Sequence, residues 1–284
     1  MRRFLAVLLC ILLAGIAQTA SAREQSDAPD IEIIGFSPDG RYFAYEQYGF
    51  DLAAGALDAA VFVVDRRTNK QAKGFPFGFI ASELDDDGEP LRVGGHDIDL
   101  KKLQTEDGDP DLAKIRKRVR EKAAKKLAVL HIGAQGRRIA GLPMTQRSTL
   151  GDKATPLKFV VWPTIPSAIP DQQLVYSIDA TVKDTIEDCV NAAPPKRDVP
   201  VTFEIIAERT YPETKTVAKK EHAFPMPLAK DDCPAGIWIS DIIAPPDVAG
   251  EKPVLMIVFL GTAWSSAADS ARYHATFIEM PEGE

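Results

Sequence analysis

Only one stretch of this chain carries a helical period. Nearly everywhere else the apolar residues alternate, or run in short blocks separated by prolines. The exception is "DPDLAKIRKRVREKAAKKLAVLHIG", residues 109–133, where Leu112, Ile115, Val119, Ala123, Leu127 and Leu130 recur at intervals of three and four. That spacing places them on one stripe of an amphipathic helix. Asp109 reads as the N-cap, Pro110 as the first helical residue and Gly133 as the terminator, so the helix is predicted over about 110–132.

Apart from residues 81–111, whose acids and glycines read as loop, the remainder favours strands. "VPVTFEIIAERT" sets Val201, Phe203, Ile205 and Ala207 on one face and Thr202, Glu204, Ile206 and Glu208 on the other. "KPVLMIVFLG" is apolar throughout, and its ten residues suit a buried strand better than a membrane span. Prolines such as Pro163, Pro170, Pro200, Pro225, Pro245 and Pro253 fall between such segments, where a missing ladder donor does no harm. Several short strands with turn signals between them predict a mainly β (α+β) fold. The core is expected to be an antiparallel β-sandwich or open-barrel-like arrangement, with a propeller-like N-terminal hairpin and one long amphipathic helix.

The N-terminal hairpin is the most detailed of these signals. "IEIIGF" and "RYFAYEQYG" flank Ser37-Pro38-Asp39-Gly40, a turn with Pro second and Gly fourth. Alternation puts Tyr42, Ala44 and Glu46 on one face, and Phe43, Tyr45 and Gln47 on the other. "VFVVD" and the polar "RRTNK" follow. The order resembles one repeat of the propellers of Tol-type translocation proteins and prolyl oligopeptidases, a WD40-like repeat. A propeller needs several blades at a period of roughly 40 residues. Here the Ser-Pro-Asp-Gly turn occurs once, so the hairpin is expected to serve another architecture.

The chain begins with Arg2 and Arg3, runs apolar through "FLAVLLCILLAGIA" and reaches Ala20-Ser21-Ala22. A cationic start, a short apolar core and a small-x-small site define a secretory signal peptide over residues 1–22. Residues 23–284 are then expected as one β-rich secreted domain with the helix inserted. Cys10 lies inside the apolar run behind Leu9, which does not suit a lipoprotein, and the start is too short for twin-arginine export. Loss of Arg2 and Arg3 takes the formal charge from −7 to −9. Acidity and export together argue against nucleic acid as a partner.

Cleavage also removes Cys10, leaving Cys189 and Cys233 as an even pair in an oxidising compartment. Their acidic neighbours Glu187, Asp188, Asp231 and Asp232 would raise a thiol pKa, and no zinc ligands stand nearby. A structural disulfide is expected, closing a loop that stabilises by about 4 kcal/mol in the chain-entropy model. Two free cysteines are the alternative.

Motifs of catalysis are missing: no Gly-x-Ser-x-Gly, no His-Glu-x-x-His, no phosphate-binding loop and no Cys-x-x-Cys. His96 beside Asp97 and Asp99 reads as a solvated loop before it reads as a metal or acid–base site. Asp107, Asp109 and Asp111 match the start of a calcium loop, but Leu112 stands where glycine is needed and Arg118 where the bidentate Glu belongs. Ser265, Ser266 and Ser270 have no recognisable base. Phe75, Phe77 and Phe79 could line a groove, with core packing as the plainer reading. Trp162, Trp238 and Trp264 are read as core or sheet-rim residues. No catalytic residue, metal site or cofactor is assigned.

The order "IIGFSPDGRYFAYEQYG", "VFVVD", basic helix, "CPAGIWISDI", then "LMIVFLGTAW" and "ARYHATF" spans nearly the whole chain after the leader. It resembles a family of predicted secreted bacterial proteins classed as a domain of unknown function, including Arg272-Tyr273 before the last strand. The "SSAADSA" loop departs from that pattern in lacking glycine. The resemblance implies a proteobacterial, periplasmic protein and brings no activity.

Two readings of function follow. The first is a non-catalytic binding or interaction module of the cell envelope, whose partner is a protein or envelope component. The alternative is a periplasmic hydrolase with a site assembled from loops. The sharpest surface feature is the helix, whose Lys114, Lys117, Arg118, Lys122, Lys125 and Lys126 stand off the apolar stripe. A solvated face is the plain reading. An anion-binding face, touching an acidic partner or an anionic membrane surface, is the functional one.

Overall fold

A computed structural model describes residues 28–51, 56–82, 103, 105, 111–141, 157–159, 175–182, 198–209, 213–225, 233–246, 254–264 and 270–280. Residues 1–22, read from sequence as a leader, lie outside that set. The described strands pair into three antiparallel sheets. The first holds β1 (Asp30–Phe36), β2 (Tyr42–Asp51), β3 (Ala56–Asp65) and β4 (Lys70–Gln71) in sequence order, with β5 (Phe77–Ser82) also pairing β3. The helix, α1 (Leu112–Val129), follows. The second sheet has the order β13 (Ser270–Glu279), β12 (Val254–Trp264), β11 (Cys233–Ala244), β6 (Arg137–Gly141). The third has the order β10 (Thr214–Pro225), β9 (Asp198–Arg209), β8 (Val175–Val182), β7 (Leu157–Phe159). The fold is mainly β, as the strand patterning implies.

The layers stack as helix, first sheet, second sheet, third sheet, and the sequence explains why. The two inner sheets are covered on both faces, which requires strands that are apolar throughout rather than alternating. β12 is such a strand. Its Leu255 and Ile257 face Ile178, Phe203 and Ile205 of the third sheet. Its Val254, Met256 and Val258 face Phe36, Phe43 and Tyr45 of the first. The outer sheet alternates as its pattern demands: Val201, Phe203, Ile205 and Ala207 are buried, while the outward Glu204 and Glu208 pair with Lys219 and Lys215 across the strands.

Within the first sheet the face assignment of β2 holds. Phe43, Tyr45 and Gln47 turn to the second sheet, and Ala44 and Glu46 turn to the helix. Phe36 packs on Phe43 at 4.8 Å between ring centroids, and Tyr45 stacks on Phe62 at 4.9 Å. Polar side chains then fasten β13 to this sheet. The Tyr45 hydroxyl donates to the Tyr273 carbonyl at 3.1 Å, and the Tyr273 amide donates to Gln47 Oε1 at 2.7 Å. Asn69 does the same four residues further along β13: the Phe277 amide donates to its Oδ1 at 2.8 Å, and its Nδ2 donates to the Phe277 carbonyl at 3.2 Å. The last strand therefore meets the first sheet through side chains and packing. Its ladder partner is β12.

The Ser37–Gly40 turn forms as its residues dictate. The Gly40 amide donates to the Ser37 carbonyl at 2.9 Å, and Gly40 takes φ 63°. Arg41 then forks onto Asp65 at the end of β3, with Nε–Oδ1 3.2 Å and Nη2–Oδ2 2.8 Å.

The helix ends differ from their sequence assignments. Asp111, not Asp109, is the N-cap, its side chain accepting from the Lys114 amide at 3.1 Å. Both aspartates suit a cap chemically, and Asp109 lies outside the described residues. At the other end His131, not Gly133, takes the left-handed conformation, with φ 53°. The His131 amide donates to the Ala128 carbonyl and the Ile132 amide to the Leu127 carbonyl, at 3.0 and 3.1 Å, closing a Schellman motif. Gly133 instead begins a short bridge to β1, where Gly133 and Ala134 both donate to the Phe36 carbonyl. Gly35 makes room for this bridge. It has φ 132°, and a Cβ there would stand 2.7 Å from the Ala134 oxygen.

Candidate anion-binding surface on the helix

The apolar stripe of α1 does what its spacing predicts. Ile115, Val119 and Ala123 are fully buried against Ala59, Val61, Val63 and Phe77, with Leu127 and Leu130 partly buried beside them. Burying the Ile115 and Val119 side chains contributes roughly 1.5–3 kcal/mol each. Most of a helix's stability in a protein comes from packing its apolar face, so this contact holds the 18-residue helix in place.

The rotation of the helix on the sheet is set by charge. Glu46 of β2 is fully buried beneath it, and lies directly across from Glu32 of β1 in the strand register. Two carboxylates so placed repel each other. Arg116 and Arg120, one turn apart, resolve this. Arg116 donates to Glu46 at 3.0 and 3.3 Å and to Glu32 at 2.9 Å. Arg120 Nε donates to Glu46 Oε2 at 2.8 Å, and its Nη2 bonds Glu46 and Glu32 together. The Arg116 guanidinium also lies on the Tyr48 ring, 3.2 Å from its centroid. Partial burial alone raises the Glu32 carboxyl, but the two guanidiniums outweigh it and hold it below the usual range. Burial lowers both arginines and Glu46 overrides this, so both are raised. A buried ion cluster of this kind adds little net stability, because desolvation offsets the attraction. It does penalise any rotation that would leave Glu46 unpaired.

The cations named from sequence separate accordingly. Lys114, Lys117, Arg118, Lys122 and Lys125 all lie exposed on the solvent side of α1. Lys114 pairs with the cap Asp111 at 3.4 Å and Arg118 with Glu121 at 3.5 Å. Lys117, Lys122 and Lys125 have no ion-pair partner among the described residues. Lys126 stands at the margin of this face, where its ammonium donates to the Gly74 carbonyl at 3.1 Å and sits 5.8 and 5.7 Å from the rings of Phe75 and Phe77. Phe75 and Phe77 are themselves buried in the core beneath the helix.

The Glu46 anchor was missed in the sequence reading, although a signal for it exists. An acid on the same strand face as Tyr42, Ala44 and Tyr48 needs a cation, and arginines at i and i+4 on the helix form a matched pair for it. The remaining candidates stay apart from this site. Trp238 is half-buried and packs against the core between the first and second sheets. Cys189, His96, Asp97, Asp99, Asp107, Asp109, Trp162, Ser265 and Ser266 lie outside the described residues. Cys233 opens β11, Ser270 opens β13, Trp264 ends β12 and Phe79 lies in β5, but only their backbones are described. Among the described residues no group of three His, Cys, Asp or Glu is arranged to hold a metal, and no helix is long and apolar enough to cross a membrane. No protein-family pattern matches the chain, and no characterised protein matches it.

Proposed function

We propose that this protein is a periplasmic or secreted, non-catalytic binding module of the cell envelope, and that the lysine face of α1 is its contact for an anionic partner. The observation that carries the reading is the division of the helix's cations. Two arginines are used up on Glu46, while Lys117, Lys122 and Lys125 are exposed with no ion-pair partner among the described residues. The leader-like start, the resemblance to secreted bacterial proteins and the even pair Cys189 and Cys233 support the location. The Cys189–Cys233 disulfide belongs to the same proposal.

The chain carries a formal charge of −7, so a uniformly charged surface would be repelled by an anionic matrix at neutral pH. The expected result is retention on a sulfonate resin at pH 7 and low ionic strength. The triple variant Lys117→Ala, Lys122→Ala, Lys125→Ala should pass through. A wild-type protein that is not retained, or a triple variant held as firmly as wild type, would refute the reading.

A further inference from the structure

We propose that the anionic partner is a lipid headgroup surface, which α1 meets side-on. This rests on the anion-binding reading of the same face. Three observations select lipid over an acidic protein. The first is chemical. The fork-shaped guanidiniums of Arg116 and Arg120, which suit shaped carboxylate sites, are turned inward onto Glu46. The outward cations with no ion-pair partner among the described residues are lysines, compact point charges on flexible stems that fit a diffuse array of phosphates. Protein–protein interfaces are depleted in lysine.

The second observation is Val129, which is 70 % exposed. Helical spacing from Lys122 and Lys125 places it on their side of α1, at the end of the face. An apolar side chain beside lysines is what an interfacial helix presents to a headgroup layer. The third is placement. α1 is the outermost layer of the described fold, with the first sheet behind it. From Lys114 to Lys125 the face runs roughly 16 Å along the axis, so its cations can meet a plane together.

The test uses the purified protein and vesicles of equal parts phosphatidylglycerol and phosphatidylcholine, followed by co-sedimentation. Each lysine near an anionic surface is worth about a fivefold change in binding, so the triple variant should lose about a hundredfold. Val129→Asp should weaken binding severalfold while leaving the helix content by circular dichroism unchanged. Pure phosphatidylcholine should not bind. Polyglutamate, standing in for an acidic protein, should compete poorly.

Lysine-dependent retention on sulfonate resin without vesicle binding would overturn the lipid assignment and leave the anion-binding face intact. Equal binding to pure phosphatidylcholine would overturn it too. So would polyglutamate binding as tight as vesicle binding and indifferent to Val129→Asp. Loss of both resin and vesicle binding in the wild type would remove the underlying reading itself.

Discussion

Arg116 and Arg120 on one side of α1, and Lys117, Lys122 and Lys125 on another, carry the same charge within the same turns of helix. The arginines lie over a fully buried glutamate and touch a carboxylate on each of two strands. The lysines touch no ionic partner among the described residues. One set sets how the helix sits on the sheet. The other is a face to which the described residues bring no counter-charge. The difference comes from what lies opposite, and residue type follows it: a planar fork for the desolvated site, a hydrated point charge for the open one.

The sharpest way to break this comparison is to remove the arginine pair. With Arg116→Ala and Arg120→Ala, Glu46 loses both its cations, and breaking a buried pair from one side costs about 3–5 kcal/mol. Urea unfolding should show that loss. Adding Glu46→Gln should recover part of it, since the uncompensated charge is then gone. A loss below about 1 kcal/mol, near the level of exposed pairs, would mean that the arginines act as surface cations after all.

Acid should separate the two edges as well. The Glu32 carboxyl lies below its ordinary value of 4.5 because the guanidiniums of Arg120 and Arg116 outweigh its partial burial. A lowered folded-state pKa means that the unfolded state takes up the proton first. The contribution is therefore full above about 4.5 and is lost as pH falls through the lowered folded value. Glu32→Gln should flatten the stability–pH curve in that window, whereas Lys117→Ala should leave its shape unchanged. Identical acid-unfolding curves for Glu32→Gln and wild type would count against the anchor's charge.

Much of this was legible in sequence, and the limits are physical. The apolar stripe of α1, the strands from residue 175 onward and the two faces of β2 follow from local periodicity, which the chain displays directly. So does the cationic face, because i, i+3 and i+4 positions are neighbours on any helix. The split between arginine and lysine is different in kind. It depends on Glu46 lying across 70 residues of chain from Arg116, and no local pattern records that pairing. The division into three sheets is non-local in the same way. The cap positions failed for a third reason. Asp109 and Asp111 are chemically equivalent, and His131 and Gly133 compete for one left-handed position.

That helix end offers a smaller test. His131 holds φ 53°, which strains a residue with a Cβ, while its amide closes the Schellman motif. His131→Gly should keep both backbone bonds and relieve about 1–2 kcal/mol of left-handed strain, of which the entropy of glycine takes back about 0.5–1 kcal/mol, leaving a small net gain in urea unfolding. If stability instead drops, the side chain contributes more than the backbone geometry does, and the end of the lysine face is held by something other than the motif.

The smallest effect is the most telling for the lysines. Lys122 has Arg118 and Lys126 four residues away and Lys125 three away, so the open face repels itself. Like charges at these spacings destabilise a helix by about 0.2–0.5 kcal/mol per pair at low salt. Alanine is also a slightly better helix former than lysine. Lys122→Ala should therefore stabilise the protein by about 0.5 kcal/mol at low ionic strength, and much of the gain should vanish near 1 M salt, where screening shortens to about 3 Å. A loss of stability on Lys122→Ala would show that the fold does use this lysine. The gain would show a cation kept against the stability of the fold that carries it, as a binding face requires.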